Sequence, residues 1–142
     1  MKRTDELSSL ADIFGPVIMS YTRAQALEDG VLVDASTLAR EAGFNWPVAL
    51  TRAVWEDCVA WTASDNHRDV YQDESGRLWD LLFMAAIAIR SSRDKGNQLP
   101  LTLLRVPRDG HSGLAEEVTL KLLVGPGDNG EPVITILQPQ ED

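Results

Sequence analysis

Apolar and polar positions divide the chain into a helix-spaced first part and an alternating, strand-like end. Between Asp5 and Phe14, the residues Leu7, Leu10, Ala11 and Phe14 recur near helical spacing and Gly15-Pro16 stops the run, which predicts a short first helix. Thr22 and Gln25 have the spacing of a capping box, Tyr21 can staple onto the first turn, and Gly30 stands where a helix ends. A helix is therefore expected over Thr22 to Asp29. Val31-Leu32-Val33 predicts a brief strand, after which Asp34 or Ser36 can cap a helix ending at Gly43. Pro47 suits a first helical turn, Leu50, Val54, Cys58 and Trp61 then share one face, and Arg52 and Glu56 sit four apart, so an amphipathic helix is expected from Pro47 to Trp61. A polar loop from Ala63 to Asp73 follows. Asp73 or Ser75 then caps a helix over Gly76 to Arg90, whose stretch Leu78 to Ile89 is apolar on every side except at Asp80, as a central buried helix would be.

After a second polar loop, Ser91 to Gln98, the run Leu99 to Val106 reads as a strand with Pro100 near its start. Val118 to Leu137 spells two apolar arms around Gly-Pro-Gly-Asp-Asn-Gly, the pattern of a β-hairpin. Helices first and strands later predict an α+β fold: N-terminal helices with one short strand, a central buried helix, and a C-terminal three-stranded antiparallel meander. The length of 142 residues suits a single domain over residues 1–142.

Within the hairpin, Gly125, Gly127 and Gly130 mimic the spacing of a dinucleotide-binding loop. Such a loop must open a helix, whose N-terminal N–H groups hold the phosphate, whereas Glu131-Pro132 leads here into the strand-like Val133-Ile134-Thr135-Ile136. A nucleotide cofactor is not expected, nor is any other.

The formal charge of −9, from 22 acidic and 13 basic residues, runs against a nucleic-acid footprint, since only Arg90, Arg93 and Lys95 approach a basic cluster. Direct nucleic-acid binding is disfavoured. A partner protein with a basic surface is the better match for such a charge. The longest apolar stretch, Leu81 to Ile89, is too short for a bilayer, and the start of the chain has no apolar run of signal-peptide length. With Cys58 as the only cysteine, a cytoplasmic location is expected.

Candidate chemistry is sparse. Asp65, His67 and Asp69 alternate in a loop, but no second histidine cluster supports a metal. His111 adjoins Ser112 without a nucleophile elbow, and Cys58 lies on an apolar helix face that raises rather than lowers a thiol pKa. Asp80, alone on an apolar helix, needs a cation such as Arg77 or Arg52, or a wet edge. Trp46, Trp55, Trp61 and Trp79 read as core and rim packing; an exposed pair among them would mark a partner surface.

The segments Tyr21-Thr22-Arg23-Ala24-Gln25-Ala26-Leu27-Glu28-Asp29-Gly30, Gln72-Asp73-Glu74, Gly76-Arg77-Leu78-Trp79-Asp80 and Gly125-Pro126-Gly127-Asp128-Asn129-Gly130 carry a further signal. As a set, the chain resembles a family of small bacterial proteins of unknown function common on plasmids and other mobile elements. The resemblance implies maintenance, transfer or counter-defence roles and supplies no catalytic or ligand residues. The leading expectation is a non-enzymatic acidic protein-binding module, an inhibitor of a host defence or nucleic-acid-handling protein. The alternatives are a small enzyme with a cleft near Tyr21, Arg23, Asp80 and the hairpin turn, and a homo-oligomeric structural module. Tyr21, Arg23, Trp55, Asp80 and Asp128 are the candidate functional or interaction residues.

Overall fold

A computed structural model of the chain describes residues 21–68, 70–93 and 96–142. Helix α1 (Arg23–Asp29) leads through Gly30 to β1 (Leu32–Asp34), α2 (Ser36–Glu41) and β2 (Val48–Thr51). A short α3 (Arg52–Val54) runs directly into a π-helix (Trp55–Val59), and a 3-10 turn (Ala63–Asp65) precedes the long α4 (Glu74–Ser91). Strands β3 (Gln98–Arg105), β4 (Glu116–Pro126) and β5 (Pro132–Leu137) complete the chain. The helix expected between Asp5 and Phe14 lies outside the described residues.

Local signals set the ends of several elements. The Thr22 capping box forms with both of its hydrogen bonds, and Gly30 closes α1 in a left-handed conformation at φ 79°. Asp73 caps α4 by accepting from Gly76 N–H at 2.7 Å. Arg52 and Glu56 pair across one turn at 3.4 Å.

The sheet corrects the expected architecture. It has five strands in the order β1-β2-β5-β4-β3, not three. The antiparallel β3-β4-β5 ladder continues through a parallel β5–β2 pairing and an antiparallel β2–β1 pairing. The expected helix from Pro47 to Trp61 is also corrected: Val48–Thr51 is a strand buried on both faces, and Thr51 then accepts from Val54 N–H to start the helical turns. A strand flanked on both sides carries no alternating pattern, so its four residues merged with the helical spacing that follows.

Helix α4 packs Leu78, Leu81, Leu82 and Ala85 onto one sheet face, against Val48, Leu50, Leu101, Leu120, Leu122 and Ile136. The other face carries Ala49, Val133, Thr135 and Leu137, and α1 sits over part of it, with Ala26 buried. Among the described residues no helix is long and apolar enough to cross a membrane.

Candidate functional site

Two regions gather the chemistry-bearing side chains, one on each side of the sheet. On the α1 side, the hairpin turn folds over the start of the helix. Asp128 accepts from Arg23 N–H at 2.8 Å and from Ala24 N–H at 3.0 Å. Together with the capping box, it satisfies all four N–H groups of Thr22 to Gln25. The glycine-rich turn thus delivers a carboxylate to a helix N-terminus, the reverse of a loop that cradles phosphate. Gly130, at φ 82°, closes the turn, with Gly130 N–H donating to Gly127 O. The Arg23 guanidinium donates to Thr135 Oγ1 at 2.7 Å and to Ile134 O at 2.8 Å, and Tyr21 Oη donates to Asp29 at 2.6 Å. Tyr21, Arg23 and Asp128 are therefore neighbours whose polar groups already have partners.

The backbone N–H groups of Arg23 and Ala24 hold the Asp128 carboxyl below the ordinary aspartate range. Its contribution to stability is fully present above the unfolded value of about 3.9 and is lost as pH falls through the lower folded value. Asp128→Asn is thus expected to lower the melting temperature by a few degrees, about 2–6 °C, at pH 7. The gap to the wild type should close progressively below about pH 4 in a pH series of thermal melts. An unchanged gap down to pH 2 would show that the charge contributes nothing.

Asp80 lies across the sheet from that cluster, on α4, so the cleft expected to join it to Tyr21 and Arg23 is not formed. Its side chain is exposed on the wet edge of the helix, and neither Arg77 nor Arg52 pairs with it. Asp80 is shared by three adjoining depressions. One lies against Phe83 and Leu104, and another against Tyr71 and Trp79. Leu104, at the outer strand β3, is 64% exposed and Tyr71 is 76% exposed. No ion pair among the described residues uses Glu74, Asp80, Glu116 or Glu117. Trp55 stands apart from this surface, half-buried on the π-helix against the core.

Between these two depressions, a cavity of about 170 Å³ opens between α4, the π-helix and the end of β3. Arg77, only 4% exposed, donates from Nε to Val59 O at 3.1 Å and from Nη1 to Gln72 Oε1 at 2.7 Å and Val106 O at 2.9 Å. Its guanidinium stacks over Trp61 at 4.7 Å. Arg105 donates from Nη2 to Asp57 Oδ1 at 2.9 Å. Arg77 Nη2 and Arg105 Nε and Nη1 are buried with no protein acceptor. Burial first, and with it the nearby Arg105 charge, pulls the Arg77 pKa below its ordinary value, yet a guanidinium stays charged. Cys58 lines the same cavity; burial first, then the Asp57 charge, pushes its thiol up to about 12. A thiol so protonated is no nucleophile at neutral pH.

The remaining sequence candidates have structural partners. Asp65 accepts from Thr62 N–H and pairs with Arg108 at 2.9 Å, and the His67 ring lies between Asp65 O and Ser112 O. Asp69, the third member of the suggested metal set, lies outside the described residues, and no group of three potential ligands gathers among those described. Ser112 donates to Asp109 rather than to a histidine.

The arginine cavity is what sequence reasoning missed, although its signal was present. Leu99, Leu101, Leu103 and Arg105 share the inward side of β3, so the alternation points Arg105 into the protein. Arg77 likewise shares the buried face of α4 with Leu81 and Ala85.

Comparison with curated proteins and with solved structures returns no match. A family model described as a family of unknown function, DUF6573, matches residues 12–142, and the chain belongs to that family.

Proposed function

We propose that the protein is a non-enzymatic protein-binding module whose contact surface is the α4 and β3 face around Asp80. The observation that carries this reading is the grouping of exposed apolar side chains with carboxylates that have no ion-pair partner. Tyr71, Trp79, Phe83 and Leu104 supply apolar area, while Asp80 among them and Glu117, opposite Leu104 on β4, supply unneutralised charge. Exposed aromatic and aliphatic anchors ringed by one sign of charge fit a partner presenting apolar residues among lysines and arginines. The Tyr21, Arg23 and Asp128 cluster offers less to a ligand, because its donors and acceptors already satisfy one another.

The partner is a protein with a basic surface, met in the cytoplasm, and the resemblance to mobile-element proteins directs the search to host defence and nucleic-acid-handling proteins. The test compares capture from a host extract, at low and moderate salt, by the wild type and by Phe83→Glu with Leu104→Glu. A basic partner held by the wild type is expected to be lost from the double variant, with capture by the wild type weakening as salt rises. Failure to capture any partner, or capture indifferent to both substitutions, would overturn the reading.

A further inference from the structure

We propose that the free edge of β3 takes an extended segment of the partner protein, bearing a lysine or arginine, as a sixth strand of the sheet. The inference rests on the contact surface proposed above and names what that surface binds. Among the described residues β3 is bonded to β4 alone. Asn97 O accepts from Val124 N–H at 2.7 Å, and this sets the alternation of the antiparallel ladder. Leu99, Leu101, Leu103 and Arg105 turn their main-chain groups to β4, while Pro100, Thr102 and Leu104 turn theirs outward. Pro100, whose nitrogen carries no hydrogen, therefore stands where the ladder needs no donor. Beyond it, Thr102 and Leu104 each present an N–H and a C=O that no neighbouring strand among the described residues takes. An open edge is a template for another strand, and proteins commonly blunt it with lysine, proline or a bulge. From Leu101 to Arg105 there is none of these: the register with β4 is unbroken, Leu104 is exposed, and the one charge, on Arg105, is held by Asp57 at 2.9 Å.

The lining beside that edge says what the added strand must carry. Asp80, Phe83 and Met84 of α4 border one depression with Thr102, Leu103 and Leu104. In an antiparallel addition, incoming residues opposite Leu101 and Leu103 point to the α4 side, and those opposite Thr102 and Leu104 point to the other face. The first pair meets Phe83, Met84 and Asp80, which calls for one apolar residue and one cation. The second pair meets the exposed Leu104, which calls for another apolar residue. Charge also chooses between a foreign strand and a second copy of β3. Two copies joined at this edge would bring together two unpaired Asp80 carboxylates on chains of formal charge −9 each, whereas a basic segment is attracted to the same place.

The test is an NMR titration of the intact chain with acetyl-Thr-Val-Lys-Thr-Val-Thr-amide, following the backbone N–H signals of Thr102 and Leu104. Laid antiparallel, this peptide sets its lysine opposite Leu103 and its valines opposite Leu104 and Leu101. Both signals are expected to move saturably, with a midpoint on the order of 0.1–5 mM, and hydrogen exchange at both amides should slow. The same peptide N-methylated at its first valine and second threonine keeps every side chain but loses the donors that meet the Leu104 and Thr102 carbonyls. It should bind at least about tenfold more weakly. Glutamate in place of the lysine should weaken binding about threefold to tenfold, and Asp80→Lys should reverse the order of the two peptides. Equal binding of the N-methylated peptide, or of the glutamate peptide, would overturn the proposal. So would slowed exchange at both amides that grows with the concentration of the chain alone, which assigns the edge to a second copy. Absence of peptide binding beside a capture that Phe83→Glu with Leu104→Glu abolishes would strike strand addition and leave the contact surface standing.

Discussion

Arg77→Ala is expected to lower the free energy of unfolding by about 3–5 kcal/mol, a large share of the total for a domain of this size. The side chain joins three segments: the end of the π-helix, the loop before α4 and the chain just past β3. Its Nε takes the Val59 carbonyl at the end of the π-helix, where the helical pattern stops and leaves that oxygen without an intrahelical donor. Its Nη1 takes Gln72 from the loop before α4 and the Val106 carbonyl just past β3. Truncation would leave the Val59 and Val106 carbonyls without these donors, remove the cation from the Trp61 face, and open a hole beside Leu78. Arg77→Lys retains the charge but replaces the planar fork with a point donor that cannot serve all three acceptors. Roughly half the loss is expected there. Urea unfolding should show the fall as a lower midpoint at unchanged slope. A loss below about 1 kcal/mol for Arg77→Ala would mean that water replaces the side chain without penalty.

How much was legible follows from the range of each interaction. Thr22, Gln25, Gly30 and Asp73 act on backbone groups within a few residues, so their capping roles could be read directly from spacing. The hairpin of β4 and β5 was legible for the same reason, since its turn chemistry and its two arms are adjacent. The position of Asp128 over α1 was not, because Asp128 and Arg23 are 105 residues apart and only the folded sheet brings them together. The same holds for the cavity: Arg77 and Arg105 each occupy an inward position of their own element, and their meeting depends on how α4 lies across β3. Asp80 attracted notice as the one acid on an apolar helix, yet its charge is explained by exposure rather than by a buried partner. The informative polar residue on that helix is its neighbour three positions earlier.

The strongest contrast between the helical reading and the observed fold falls at Ala49, and Ala49→Pro is expected to prevent stable folding. In a helix opening at Pro47, residue 49 would lie in the first turn, where a backbone N–H has no intrahelical acceptor and proline is tolerated. In the sheet, Ala49 is the middle of β2, opposite Asp34 on one side and Thr135 on the other, and is 1% exposed. Both neighbouring strands take hydrogen bonds from β2, so a missing N–H and the bulk of the ring cannot be relieved at an edge. The direct cost is about 3 kcal/mol or more, and loss of the β2–β5 pairing would also detach β1 from the sheet. Ala49→Gly, which keeps the N–H, should cost only about 1 kcal/mol and serves as the control for losing the methyl group. Amide signal dispersion and a cooperative thermal transition should disappear in the proline variant and survive in the glycine variant. A proline variant that melts cooperatively within a few degrees of the wild type would place residues 48–51 back in a helix.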